Sequence, residues 1–139
     1  MGEYRIVDRA PTVEEFMALR EAVRWENADP EITARGLRGA LHSVCVLEGD
    51  RVIGCGRVIG DGGLAFYLQD IIVHPDHQGR GLGREITQRL MDHVQSVGGR
   101  GSYVGLMAAE GAAEFYEPFG FTRRPANAPG MGLWIGGEG

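Results

Sequence analysis

Apolar and polar positions along the chain follow two periods, which together predict a mixed α/β fold. The clearest helical pattern lies at 82–97, where apolar residues recur every three or four positions: Leu82, Ile86, Leu90, Met91, Val94 and Val97. Shorter apolar runs bounded by turn residues predict strands at 4–8, 43–48, 51–59, 64–73 and 103–108, with closing strands at 121 and 131–135. Weaker helical patterns lie at 13–23, 30–41 and 110–119.

Capping signals set the ends of the predicted helices. Thr12 and Glu15 have the spacing of a capping box, so the first helix begins at residue 13. Asp29 followed by Pro30 marks a second helix start, and the glycines from Gly98 onward mark the end of the long helix. The predicted order is therefore β-α-α-β-β-β-α-β-α-β-β in one domain, 1–139, with a mixed, mostly antiparallel central sheet and flanking helices.

Composition narrows the class of protein. The chain has 139 residues, of which 43% are hydrophobic and 24% charged, as in an ordinary globular domain with one core. The net charge of -5 argues against a nucleic-acid partner, which would require a basic surface. No long apolar run and no basic-then-apolar leader is present. We therefore expect no membrane association and a cytoplasmic location.

Neither the cysteines nor the histidines have the spacing of a metal site. Cys45 and Cys55 lie in predicted strands and match no metal-ligand pattern, so we expect buried free thiols. The four histidines are scattered and lack a His-Glu-x-x-His pattern. No metal is predicted.

A glycine-rich loop joins the strand ending at residue 73 to the long helix. Gly79, Gly81 and Gly83 leave the start of the helix free of bulky side chains, and Arg80 and Arg84 add positive charge. A helix start carries unpaired N–H groups and a partial positive charge, so the loop can bind phosphate oxygens. It matches neither the dinucleotide fingerprint nor a Walker A loop. A turn that binds no ligand is the alternative interpretation.

Gln78, Gly81 and Gly83 complete a Gln-x-x-Gly-x-Gly pattern that resembles the signature of the GNAT superfamily, the acyl-CoA-dependent N-acetyltransferases. The resemblance covers most of the chain, with specific motifs between residues 66 and 122. It implies the GNAT fold and acetyl-CoA as co-substrate. The implied loop contacts to the coenzyme pyrophosphate are Gln78, Gly79, Arg80, Gly81, Leu82, Gly83 and Arg84. It further implies that the backbone of Ile71, Ile72 and Val73 borders the pantetheine arm.

A second motif supplies the candidate acid. The segment 112–121 resembles the family's Ala-x-x-Phe/Leu-Tyr-x-x-x-Gly-Phe segment, which implies that Phe115 and Tyr116 contact the cofactor. The leaving thiol has a pKa of about 8.5, so Tyr116 is the candidate donor of a proton to the thiolate. Alternatively, Tyr116 only packs and hydrogen-bonds the cofactor. Ala109 stands where the family often carries an asparagine, so that cofactor contact is not expected.

The acceptor amine needs a base and a pocket. An alkylammonium has a pKa near 10 and attacks only after losing a proton, and Asp70 on the strand before the loop is the candidate base. The other candidate bases are Glu48, Asp61 and Glu110. Trp25, between the first two helices, and Tyr67 are candidate acceptor contacts, with Arg124 a weaker one. Trp25 is equally consistent with a core or dimer position.

The sequence thus predicts an N-acetyltransferase that transfers an acetyl group from acetyl-CoA to a primary amine of a small molecule, directly in a ternary complex. One alternative is a protein or peptide N-acetyltransferase of the same fold. Another is a non-catalytic acyl-CoA-binding regulatory module. Self-association to a homodimer through Leu133, Trp134 and Ile135 is a further expectation.

Overall fold

The protein is described here by a computed structural model that covers residues 3–136. The strands are β1 (Tyr4–Val7), β2 (His42–Glu48), β3 (Arg51–Gly60), β4 (Ala65–Val73) and β5 (Tyr103–Leu106). The α-helices are α1 (Val13–Ala22), α2 (Pro30–Arg38), α3 (Leu82–Val97) and α4 (Ala113–Tyr116). Short 3-10 turns follow at Pro75–His77 and Glu117–Phe119. The fold consists of two compact units that divide between Met107 and Ala108.

The first unit contains one five-stranded sheet in the order β1-β2-β3-β4-β5. The pairs from β1 to β4 are antiparallel, and β4 pairs with β5 in parallel. A parallel pair requires a crossover connection, and α3 supplies it. The predicted fold class, a mixed and mostly antiparallel sheet with flanking helices, is confirmed.

Helix α3 packs closely on one face of the sheet because β3 has glycines there. A Cβ atom on Gly56 would lie only 2.6 Å from Ile86 Cγ2 and 3.1 Å from Leu90 Cδ1. Five of the six residues predicted to face the sheet are buried, whereas Val97 is 49% exposed at the end of the helix. A second apolar cluster packs α1 and α2 against β2, β3 and β4: Phe16, Leu19, Leu37, Cys45, Leu47, Val52, Cys55 and Ile72.

The predicted capping signals operate as expected. The Thr12 side chain accepts a hydrogen bond from the Glu15 backbone N–H at 3.1 Å, and the Glu15 carboxylate accepts one from the Thr12 N–H at 2.9 Å. Asp29 accepts from the N–H of Glu31 at 2.8 Å. Gly98 is the C-cap of α3. These local devices set the starts of α1 and α2 and the end of α3 as the sequence predicted, whereas α2 ends at Arg38, before the predicted residue 41.

Three details near the end of the chain differ from the sequence prediction. Strand β5 ends at Leu106, and the helix predicted over 110–119 is reduced to α4 and a 3-10 turn. Pro118 lies in that turn and lacks the N–H that a continuing helix needs. The closing strands predicted at 121 and 131–135 are wrong, because the residues between 121 and 136 contain no strand. Prolines and glycines interrupt this segment, and both weaken strand pairing.

Residues 3–136 lack the features of a membrane-spanning helix and of a metal site. No helix in this range is long and apolar enough to cross a membrane. No three His, Cys, Asp or Glu side chains of these residues are grouped as metal ligands. Cys45 and Cys55 are buried free thiols, as predicted. Burial raises the pKa of Cys45 to about 11 and raises the pKa of Cys55 further, so both remain protonated at neutral pH.

Candidate active site

A β-bulge in β4 carries the candidate base. Arg57 pairs with Gln69 and Cys55 with Ile72, so two residues of β4, Asp70 and Ile71, face one residue of β3. The φ angle of Asp70 is 53°, in the left-handed region that aspartate tolerates better than most residues. The bulge therefore redirects the Asp70 side chain.

Two arginines hold the Asp70 carboxylate. Arg20 Nη1 donates to Oδ1 at 2.6 Å, and Arg57 Nε donates to Oδ2 at 3.0 Å. The Asp70 side chain is 8% exposed, and the two arginine side chains are 19% and 17% exposed. Charge-assisted hydrogen bonds of this kind are stronger than neutral ones. The predicted base is therefore part of a half-buried ion cluster that joins α1, β3 and β4.

The pairing of β4 with β5 ends at Leu68. The two strands pair from Ala65–Tyr103 to Leu68–Leu106, where β5 ends, and among the described residues no strand pairs with that side of β4 beyond this point. Ile71, Ile72 and Val73 lie in this unpaired part, and Ile72 is buried in the core. Backbone groups on this side of β4 are therefore not used by a neighbouring strand.

The glycine-rich loop at the start of α3 has the form of an anion-binding site. The φ angles of Gly79 and Gly81 are 79° and 81°, and a Cβ atom at either position would meet nothing within 4 Å. Within the described residues, the backbone N–H groups of 79–84 donate to no protein acceptor. The backbone N–H of Glu85 is the first in this stretch that does, donating to the Gly81 carbonyl at 3.1 Å. A helix of 16 residues adds its dipole. The loop therefore fits a pyrophosphate.

The polar side chains of the loop have different settings. Gln78 Nε2 donates to the Val73 carbonyl at 2.9 Å and ties the loop to the end of β4. Arg84 is exposed in the first turn of α3. Leu82, in the same turn, is buried in the core. Arg80 donates from Nη1 to the hydroxyl of Tyr4 in β1.

The second unit carries the candidate acid. Phe115 and Tyr116 lie on α4 with ring centroids 4.9 Å apart. The centroid of the Tyr116 ring also lies 6.1 Å from that of Phe121. Burial raises the pKa of Tyr116 above its usual value of 10.0, which keeps the hydroxyl protonated at neutral pH. A protonated hydroxyl is what a proton donor needs. Glu110 and Arg124, the other candidates in this unit, are exposed.

The candidate acceptor contacts lie in the first unit. Trp25 is half-buried against the apolar cluster, and the Arg20 guanidinium lies 5.4 Å from its ring centroid. Its aromatic face therefore already has a cation in contact. Tyr67 is half-buried on β4 opposite Gly105, and burial, with a smaller effect of Tyr103, raises its pKa.

The other candidate bases of the first unit have structural partners. Glu48 Oε1 lies 3.8 Å from His77 Nε2. Asp61 accepts hydrogen bonds from the N–H groups of Gly63, Leu64 and Ala65, which lower its pKa and close the turn before β4. A carboxylate held in this way is a poor proton acceptor.

Several residues at this site are not evident from the sequence. Arg20 and Arg57 were not predicted, since Arg20 is 50 residues away from Asp70. Tyr4 and His77 were also missed, because Tyr4 meets its partners across 73 and 76 residues of chain. No local pattern marks such pairs. Tertiary packing brings them together, since α1 supplies Arg20 and the segment after β4 supplies His77 and Arg80.

Comparisons with known proteins agree with this architecture. A family model described as an acetyltransferase (GNAT) domain matches residues 40–123. The uncharacterized N-acetyltransferase ycf52 of Pyropia yezoensis is 30% identical over 121 residues, which cover 84% of this chain and 68% of that protein. The serotonin N-acetyltransferase 2, chloroplastic, of Oryza sativa subsp. japonica is 34% identical over 85 residues, covering 60% of this chain and 41% of that protein.

A solved structure extends the match to nearly the whole chain. The crystal structure of SA2161 from meticillin-resistant Staphylococcus aureus, described as a protein of unknown function and probable acetyltransferase, has a TM-score of 0.90 and 34% identity. The alignment covers 95% of this chain and 99% of that one. The chain spans 68%, 45% and 63% of three curated relatives named for ycf52. From the family model, the relatives and this structure together, the chain belongs to the GNAT family of acetyltransferases.

Proposed function

We propose that the protein transfers the acetyl group of acetyl-CoA to a primary amine of a small molecule, directly in a ternary complex. The observation that carries the proposal is the loop at the start of α3, with its free N–H groups and two glycines in the left-handed region. When bound, acetyl-CoA supplies a thioester whose acyl carbon is open to attack by an amine. The remaining requirements fall on side chains of this protein.

The loop would hold the pyrophosphate through backbone N–H groups of residues 79–84, with Arg80 and Arg84 as further cationic contacts. The gap between β4 and β5 would receive the pantetheine arm beside Ile71, Ile72 and Val73. A backbone N–H at such a position can stabilise developing negative charge on an acyl oxygen, an effect of about 3 kcal/mol in other enzymes.

Tyr116 is the proposed proton donor to the leaving sulfur. Its hydroxyl carries a proton at neutral pH, and the thiolate would take that proton as the carbon–sulfur bond breaks. Burial raises the pKa of Tyr116, which makes this transfer less favourable than it would be for an exposed tyrosine. The neighbouring Phe115 and Phe121 rings form an apolar surround that accounts for the burial.

Asp70 is the proposed partner of the acceptor ammonium. A carboxylate has about four lone-pair positions, and the two arginines occupy two of them. Asp70 would therefore orient the ammonium by accepting a hydrogen bond from its N–H group at a free lone pair. The ammonium would release its proton to water before the neutral amine attacks.

The acceptor class follows from size and surface chemistry. Trp25 offers an aromatic surface beside the ion cluster, and Tyr67 offers a second one on β4; such surfaces suit a small amine with an apolar body. A rice relative is named a serotonin N-acetyltransferase, which supports an amine acceptor of this size. We propose an aryl-alkyl or alkyl primary amine.

The test is thiol release from acetyl-CoA across a panel of aryl-alkyl amines, polyamines, aminosugars, amino acids and short peptides. Tyr116→Phe is assayed in parallel, with Tyr103→Phe as the matched control because Tyr103 is an exposed residue of β5. Loss of one acid catalyst typically lowers kcat by about 100-fold to 10,000-fold. The control should retain the wild-type rate.

Each outcome of the panel separates the alternatives. Turnover on small amines that is lost in Tyr116→Phe supports the proposal, and full activity of this variant rejects Tyr116 as the acid. Turnover on peptides alone would identify a protein N-acetyltransferase. Calorimetric binding of acetyl-CoA without turnover on any acceptor would identify a binding module.

We further propose that the chain forms a homodimer through its exposed C-terminal apolar residues. Leu133, Trp134 and Ile135 are 82%, 72% and 97% exposed, an unusual density of apolar surface. A second copy of the chain would remove this surface from water. Light scattering should give twice the chain mass of 15.1 kDa, and a monomeric mass at micromolar concentration would reject the dimer.

A further inference from the structure

Four side chains link the first strand of the sheet to the glycine-rich loop. Arg80 donates from Nη1 to the Tyr4 hydroxyl, and its guanidinium carbon lies 6.0 Å from the centroid of the Tyr4 ring. The Tyr4 hydroxyl lies 2.8 Å from His77 Nδ1. The other ring nitrogen of His77, Nε2, lies 3.8 Å from Glu48 Oε1. We refer to Arg80, Tyr4, His77 and Glu48 as the loop anchor.

The direction of each hydrogen bond in the loop anchor follows from the donors available. A guanidinium has no acceptor, so Arg80 donates and the Tyr4 oxygen accepts. The single hydroxyl proton of Tyr4 is then donated to Nδ1 of His77. His77 must carry its own proton on Nε2, which faces the Glu48 carboxylate. The two hydrogen bonds, from Arg80 to Tyr4 and from Tyr4 to His77, thus point the same way.

Tyr4 and His77 are held in place by contacts that do not involve Arg80. His77 is 8% exposed at the end of the 3-10 turn Pro75–His77, and its ring meets that of Tyr4 edge-on with centroids 5.6 Å apart. Tyr4 and Glu48 are directly opposite each other in the β1–β2 pair. Sheet register and a buried ring therefore place the Tyr4 hydroxyl independently of the loop.

We propose that Tyr4 and His77 are positioning residues that hold Arg80 ready for the phosphates of coenzyme A. The inference rests on the proposed function, because it takes the loop as the coenzyme site. Neither Tyr4 nor His77 needs to touch the ligand. Their effect passes through Arg80, which is the one member of the anchor that belongs to the loop.

The physical basis is the entropy of a long side chain. A free arginine loses rotamer freedom when it binds phosphate, whereas an arginine already held by Tyr4 has lost much of it in the unliganded protein. Without the Tyr4 hydroxyl, Arg80 would lose its rotamer freedom only when coenzyme A binds, which weakens binding. The expected result is a Kd for coenzyme A raised about threefold to tenfold, with kcat at saturation unchanged.

The experiment is calorimetric titration of coenzyme A into the full chain and three variants: Tyr4→Phe, Arg80→Ala and the double variant. Tyr4→Phe keeps the ring that meets His77 and removes only the hydroxyl. If Tyr4 acts through Arg80, adding Tyr4→Phe to Arg80→Ala should change the Kd less than twofold. Tyr103→Phe is the control for loss of a tyrosine hydroxyl elsewhere on the sheet.

A second measurement uses the unliganded protein. The Arg80 guanidinium 15N signal should show restricted motion in the wild type and averaging in Tyr4→Phe, and the His77 ring nitrogens should report protonated Nε2. Equal Kd values for wild type and Tyr4→Phe, or additive effects in the double variant, would overturn the inference and leave the proposed function standing. A wild-type protein that does not bind coenzyme A would overturn both.

Discussion

Replacing Asp70 by asparagine tests whether the ion cluster of the bulge is primarily structural. Asparagine has nearly the same shape as aspartate and also tolerates the left-handed φ of 53° found at this position. The change therefore removes one negative charge and one acceptor oxygen while leaving the backbone unstrained. Arg20 and Arg57 would then share a single neutral acceptor.

The expected loss of stability follows from the geometry of the cluster. A hydrogen bond to a charged group contributes about 1.5 to 3 kcal/mol, and removing one partner of a buried ion pair costs about 3 to 5 kcal/mol. The arginines are 19% and 17% exposed, so water relieves part of the cost. We expect the free energy of unfolding of Asp70→Asn to fall by about 2 to 3 kcal/mol.

Urea denaturation at pH 7 measures this difference. Asp92→Asn is the control, because Asp92 is exposed and accepts one hydrogen bond from Gln88 within α3, so its loss should change stability by less than about 0.5 kcal/mol. A change below about 0.5 kcal/mol in Asp70→Asn would refute a stabilising role for the cluster. A pH–rate profile that Asp70→Asn leaves unchanged would remove Asp70 from proton transfer.

Two further predictions concern the packing and the pH dependence of stability. Gly56→Ala should cost about 1 to 3 kcal/mol in chemical denaturation, because its Cβ would lie 2.6 Å from Ile86 Cγ2; Gly36→Ala in α2, where a Cβ meets nothing within 4 Å, should stabilise by about 0.5 to 1 kcal/mol. Equal stability of the two variants would contradict this packing. Burial, and to a lesser extent the ring of His42 stacked on it, lower the pKa of His93 below 6.5, while Asp8 opposes this. His93 therefore binds a proton more tightly in the unfolded chain than in the folded protein. Its contribution to the free energy of unfolding is fully present above pH 6.5 and is lost as the pH drops through the pKa of His93 in the folded protein. In His93→Gln the urea midpoint should change less between pH 7.5 and 5 than it does in the wild type. An unchanged pH dependence of the midpoint would contradict this role of His93.

Much of the fold was predictable because its signals are local. The capping box of Thr12 and Glu15 spans three residues, and the apolar period of α3 repeats within one or two turns. The glycine-rich loop was also predictable, since Gly79 and Gly81 lie at the very start of a helix. Each of these patterns depends on neighbours in the chain, so the order of residues is enough to predict it.

Strand prediction failed where apolar content was the only signal. The segment 131–135 contains four apolar residues, yet it forms no strand in the described structure. A strand exists only when another strand satisfies its backbone hydrogen bonds, and residues such as Pro129 and Gly132 oppose that pairing. The same reasoning explains why β5 ends at Leu106, where its pairing with β4 stops.

The sequence by itself determined the mixed α/β class, the starts of the first two helices, the end of the long helix, the buried thiols and the position of the glycine-rich loop. Only the tertiary structure decided the partners of the functional side chains. A bulge in β4 turned Asp70 toward Arg20 and Arg57, and the register of β1 on β2 placed Tyr4 opposite Glu48. The turn after β4 brought His77 to the Tyr4 hydroxyl. Contacts across 50 or more residues of chain depend on where strands pair and bend, and no local pattern of residue types encodes them.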